Sequence, residues 1–128
     1  MIGLPAHARF YLYAHATDMR KSFDGLCGLV RNHLHRNPTD GEIYVFLNRD
    51  RSMIKLLQWD RTGFCIYAKR LERGTFERPD HHLQQTSIQL KWEELMLILE
   101  GISLQSVRRR KRYELPSHQG LTTENQAS

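Results

Sequence analysis

Between residues 42 and 72, three apolar stretches are separated by connections of three residues, which leaves little to build except consecutive antiparallel hairpins. In the first stretch (residues 42–48), Ile43, Val45 and Leu47 share one face, while Tyr44 and Phe46 share the other. In the second (52–60), Met53, Lys55, Leu57 and Trp59 alternate with Ile54, Leu56 and Gln58. The third (64–72) sets Phe64, Ile66 and Ala68 against Cys65, Tyr67 and Lys69. The connections are Arg49-Asp50-Arg51 and Arg61-Thr62-Gly63, and Gly63 suits the left-handed backbone position that closes such a loop. Several stretches are apolar on both faces, so helices or a partner are expected to cover the second face.

The flanks supply candidates for that cover. A first strand is expected over residues 9–15, where Phe10 and Leu12 alternate with Tyr11 and Tyr13. Thr17 or Asp18 then offers a helix cap. Met19, Phe23, Leu26, Val30 and Leu34 follow at spacings of 4, 3, 4 and 4, one helical stripe across residues 19–35. Gly25 and Gly28 each cost about 1 kcal/mol of helix propensity, which close approach to the sheet would explain. Residues 36–41 read as a turn, residues 73–85 as a loop and residues 87–90 as a short edge strand or a helix lead-in. Trp92, Leu95, Met96 and Leu99 form a second helical face, ended by Gly101. The order is β-α-β-β-β-(β)-α, an α+β fold in which a small antiparallel β-meander packs with two helices. Residues 1–104 are expected to be one domain, and residues 105–128 a basic, disordered tail with little to bury.

Charge is unevenly spread. Of a net +5, residues 1–107 carry 14 Lys+Arg against 12 Asp+Glu, and residues 108–128 carry 5 against 2. The tail excess lies in Arg108, Arg109, Arg110, Lys111 and Arg112, a candidate phosphate-binding run. No apolar stretch approaches the ~18 residues of a membrane span, and the N-terminus has no export leader. Cys27 and Cys65 form no short-spaced pair, and the reading is a cytoplasmic protein with reduced thiols. There is no phosphate loop, dinucleotide glycine pattern, nucleophile elbow or zinc spacing, and His81-His82 reads as a pair of surface loop histidines. No cofactor or metal is implied. The carboxylates offer only one thin nuclease alternative, a metal site using Asp60 and Glu72.

The best functional signal is cationic. Arg49, Arg51, Lys55, Arg61, Lys69, Arg70 and Arg73 fall within the hairpins and their flanks, interleaved with Tyr44, Phe46, Trp59, Phe64 and Tyr67. Basic groups with aromatics on a sheet hold phosphates and stack on bases, although alternation does not put all these cations on one face. Trp, Tyr and Arg are equally the residues of protein-interaction hot spots, which makes Trp59, Phe64 and Tyr67 candidate partner anchors.

Two longer motifs narrow the choice. Asp18-Met19-Arg20-Lys21-Ser22-Phe23-Asp24-Gly25-Leu26 is one, and Trp59-Asp60-Arg61-Thr62-Gly63-Phe64-Cys65 with Lys69-Arg70-Leu71-Glu72-Arg73-Gly74-Thr75-Phe76 is the other. Over about residues 2 to 102 the chain resembles the second-open-reading-frame (TnpB) proteins of IS66-class bacterial insertion sequences, which are distinct from the RNA-guided nuclease of the same name. The resemblance implies a non-catalytic helper of transposition, acting beside a separate, longer transposase that carries the acidic catalytic triad. It assigns no catalytic residue. It leaves open which residues contact DNA or that transposase. The cation pattern favours DNA, bound largely without sequence preference, with the transposase as the other partner. The alternative is a transposase-docking module with no DNA affinity of its own. The candidate DNA-binding residues are Arg20, Lys21, Arg61, Lys69, Arg70, Arg73 and the 108–112 run. Gln58 and Ala68 depart from the pattern, standing where aromatic residues are common in relatives.

Overall fold

The computed structural model describes residues 7–80 and 84–101. Its elements are β1 (Phe10–Tyr13), α1 (Phe23–Asn32), β2 (Ile43–Leu47), β3 (Met53–Asp60), β4 (Gly63–Arg70), β5 (Ser87–Leu90) and α2 (Trp92–Glu100). The α+β class and the element order match the expectation from sequence. The strands form one five-stranded sheet in the order β4-β3-β2-β1-β5.

The sheet is mixed rather than a pure antiparallel meander. β2, β3 and β4 are the expected hairpins, with Val45 opposite Leu56 and Leu57 opposite Ile66. β1 instead runs parallel to β2, Phe10 beside Ile43 and Leu12 beside Val45. A parallel neighbour needs a long crossover, and α1 with its flanking loops supplies one. β5 then closes on the far side of β1 in antiparallel register, Tyr11 opposite Gln89. β1 therefore lies inside the sheet, and all four of its residues are buried.

Both faces are covered. Phe10, Leu12, Ile43, Val45, Leu47, Ile54 and Leu56 pack with Leu95 and Ile98 of α2 and with Phe76 from the crossing segment. On the opposite face, Tyr11, Tyr13, Tyr44, Phe46 and Leu57 pack with Leu26, Cys27 and Val30 of α1 and with Leu34. Strands apolar on both sides thus mark interior strands between two helical layers. Burial pushes the Cys27 thiol pKa up, consistent with a core residue rather than a nucleophile.

Three local expectations are corrected. α1 begins later than its apolar stripe: Ser22 is the N-cap, and neither Thr17 nor Asp18 caps the helix. Residues 18–21 form a separate turn, in which the Lys21 N–H donates to the Asp18 carbonyl at 3.0 Å. The helical glycines do not serve a close approach to the sheet: a Cβ on Gly28 would meet nothing within 4 Å, and one on Gly25 would meet Lys21 Cβ at 3.0 Å. In the β3–β4 turn the left-handed residue is Arg61 (φ 54°), while Gly63 is the first residue of β4. α2 does end as expected, on left-handed Gly101 (φ 78°). Residues 81–83 and 102–128 lie outside the described set, and with them His81-His82, the expected tail boundary and the 108–112 run.

Candidate nucleic-acid interface

The strand directions bring the carboxyl ends of β1, β2 and β4 to one end of the sheet, with the amino ends of β3 and β5. α1 starts there. α2 returns there, because Lys69 Nζ near the end of β4 donates to the Leu99 carbonyl at 2.7 Å. Lys and Arg are more numerous at this end than at the other, and Asp18, Asp24, Asp50, Glu72, Glu77, Asp80 and Glu100 belong to segments at the same end. Arg20, Lys21, Arg49, Arg51, Lys69, Arg70, Arg73 and Arg78 belong to segments at this end. Arg9, Arg36, Arg61 and Lys91 belong to segments at the other, as does Arg31 in the last turn of α1.

At the basic end, a cleft of about 270 Å³ opens beyond the carboxyl ends of the parallel pair β1 and β2. Tyr13, His15 and Ala16 line it from the end of β1, and Leu47, Asn48, Arg49 and Arg51 from the end of β2 and its turn. Arg78 closes it from the segment that crosses back to β5. No carboxylate is among these lining residues.

The cleft is held by backbone. Arg51 sits in the left-handed region (φ 59°), its N–H donating to the Asn48 carbonyl at 3.1 Å. Its own carbonyl accepts the Phe76 N–H at 2.7 Å, and Phe76 is wholly buried in the α2-side core. Two residues on, Arg78 donates Nη1 to the Ala14 carbonyl at 2.9 Å. The neighbouring Asp50 is engaged within its turn: Oδ1 accepts from the Ser52 N–H at 3.1 Å and the Ser52 hydroxyl at 2.7 Å. Those bonds lower its pKa and keep it ionised. Tyr13 is held neutral, its pKa raised by burial. The His15 ring lies edge-on to Tyr13 with centroids 5.4 Å apart.

The residues singled out from sequence are placed unevenly. Arg20 clasps Asp18, Nη2 to Oδ2 at 2.7 Å and Nε to both oxygens, which pulls the Asp18 pKa down to about 2. Arg70 faces Glu72 at 3.7 Å. Lys69 has the Leu99 carbonyl as a partner, while Lys21 and Arg73 are exposed at the basic end. Arg61 stands at the opposite end of β4, an eight-residue strand and so roughly 26 Å away at ~3.3 Å per residue. The same distance separates Asp60 from Glu72, which therefore cannot share a metal ion. Among the described residues, no group of three or more His, Cys, Asp or Glu is placed to hold one. Trp59 and Phe64 are cross-strand partners with rings edge to face, centroids 5.0 Å apart. Tyr67, 40% exposed, points to the other face of β4, opposite Leu56. The interface anchors thus divide between two faces.

Sequence reading named Arg49 and Arg51 among the hairpin cations but left them out of the site, and it passed over His15 and Arg78 altogether. The available signal was two arginines flanking Asp50 in one short turn. Nothing local to residues 13–15 or 78 marks their approach to that turn.

The molecule is thus defined as a small α+β domain, a mixed sheet between two helical layers, with three arginines around a cleft at one end of the sheet. The chain belongs to the family of IS66 Orf2-like proteins, whose model matches residues 8–109. Two similar proteins come from Sinorhizobium fredii (strain NBRC 101917 / NGR234). The uncharacterized protein y4hO is 34% identical over 102 residues, 80% of this chain and 87% of that one. The uncharacterized protein y4jC is 28% identical over 110 residues, 86% and 92% of the two chains. No solved structure matches significantly.

Proposed function

We propose that this protein is a non-catalytic accessory factor for transposition of a bacterial insertion sequence, acting in the cytoplasm beside a separate transposase. Its task is to bind DNA, largely through phosphates and without reading bases, and so to assist assembly of the transposition complex. Family membership supports the setting. The observation that carries the mode of action is the grouping of Arg49, Arg51 and Arg78 around a cleft whose described lining holds no carboxylate. Lys21, Arg73 and the 108–112 run extend this contact, with Arg20, Lys69 and Arg70 at its margin. Among the described residues no helix is long and apolar enough to cross a membrane.

A second reading has its own support. Among the described residues β4 is an edge strand with no strand paired on its outer side, and it exposes Tyr67 and Ala68. Such an edge accepts an added strand, and Trp59, Phe64 and Tyr67 flank it as anchors for the transposase. DNA contact and transposase docking use different surfaces and are compatible.

The test is binding of the purified chain to labelled duplex and single-stranded DNA across a salt series, with and without residues 102–128. The DNA reading predicts affinity that falls linearly in log–log form, by about 0.9 per phosphate contacted on duplex, and that survives removal of those residues. No binding at low salt would sink it and leave transposase docking.

A further inference from the structure

We infer that the cleft formed by His15, Asn48, Arg49, Arg51 and Arg78 is a seat for a phosphate group, and that in the proposed accessory role a DNA strand supplies it. The inference rests on that role only for the source of the phosphate. The seat itself is argued from geometry.

Arg49, Arg51 and Arg78 reach one concavity from two segments far apart in sequence, with His15 added from a third. Like charges brought to one concavity whose described lining holds no carboxylate repel, so the scaffold has to hold them. Here Arg51 and the segment bearing Arg78 are tied through one buried anchor, Phe76, and Arg78 is pinned again on the Ala14 carbonyl. That pin uses Nη1, and a guanidinium fork matches phosphate oxygens in pairs. The Asn48 amide is already engaged, Nδ2 donating to Ser52 Oγ at 3.1 Å and Oδ1 accepting the Met53 N–H at 3.0 Å. Asn48 therefore shapes the turn and leaves binding to the cations. At about 270 Å³ the cleft falls below the ~300–1,000 Å³ of sites for whole drug-sized ligands, and suits a phosphate with part of its sugar. It also lies outside the carboxyl ends of parallel strands, where open α/β sheets bind their ligands.

The experiment is an amide-resolved NMR titration of the full chain at constant ionic strength, with a short duplex DNA in one arm and pyrophosphate in the other. Both are expected to shift the amides of residues 14–16 and 48–52. The double variant Arg49→Gln/Arg51→Asn, with Asn chosen because it tolerates the left-handed backbone, should melt like the wild type. It should bind DNA at least tenfold more weakly, with a log–log salt slope lower by up to about two. The charge-matched control Arg9→Gln/Arg31→Gln should bind like the wild type. Undiminished DNA affinity in the Arg49/Arg51 variant would overturn the seat while leaving the accessory reading intact. Pyrophosphate shifts without DNA binding would support the seat, assign it to a free phosphate compound and remove the DNA reading. Shifts in neither arm, or tighter binding of a poly-glutamate peptide than of DNA, would overturn the seat outright.

Discussion

Two polar side chains fasten irregular backbone to the sheet, each on a different loop. Lys55 Nζ, on the α1 side of β3, donates to the Met19 and Lys21 carbonyls, both at 2.8 Å, and so closes the turn that leads into α1. Losing this ammonium strands two carbonyls, so Lys55→Met should lower stability by about 2 kcal/mol, measured by denaturant unfolding. A loss below ~0.5 kcal/mol would show that water replaces it. At the other end of the sheet, the Tyr44 hydroxyl donates to Asp40 at 2.6 Å and accepts from Arg36 Nε at 3.2 Å, while Arg36 lies 4.2 Å over the Tyr11 ring. Burial, then the bond to Asp40, raises the Tyr44 pKa far above its usual value. A raised pKa on an acid means that the neutral form is favoured in the folded state. That stability is complete below the unfolded value of about 10 and is lost as pH climbs beyond it. Tyr44→Phe should cost about 1–2 kcal/mol near neutrality and flatten the alkaline decline above pH ~10. An unchanged alkaline limb would contradict the assignment.

Among the elements, burial separates structural residues from surface ones. Leu95 is wholly buried where α2 meets the sheet, and Leu95→Ala should cost about 2–5 kcal/mol. Trp59 is only half-buried near the outer turn of the β3–β4 hairpin, with Phe64 as its ring partner. Trp59→Ala should therefore cost less than Leu95→Ala, about 1–2 kcal/mol for the ring pair and its area. A loss as large as that of Leu95→Ala would make Trp59 a core residue and remove it as a docking anchor. The hairpins were legible in the sequence because alternation and three-residue connections act locally. The direction of β1 was not, since Phe10–Tyr13 has the same pattern whether its neighbour is parallel or antiparallel; the crossover through α1 decides. The start of α1 was misjudged for a similar reason. Met19 continues the apolar stripe, but its carbonyl is taken by Lys55, thirty-six residues along the chain. The cleft was the least legible feature, because His15, Arg49 and Arg78 meet only once the crossing segment is anchored by Phe76.

For the whole molecule, fold and charge share one polarity. Both helices have an end at the pole that bears the cleft, and Gly101 closes α2 there, where a Cβ in its place would come within 4 Å of the Leu71 side chain just past β4. The proposed DNA contact at this pole would leave the β4 edge, with Tyr67 and Ala68, open to the proposed protein partner.

The central claim, a non-catalytic part in transposition played through the basic end, is tested most directly by the transposition frequency of the parent element in cells. The element would carry this gene intact, deleted, or replaced by the Arg49→Gln/Arg51→Asn variant at equal protein level. The account predicts that deletion lowers the frequency at least tenfold, that the wild-type gene supplied separately restores it, and that the variant does not. An unchanged frequency on deletion, or full restoration by the variant, would contradict it.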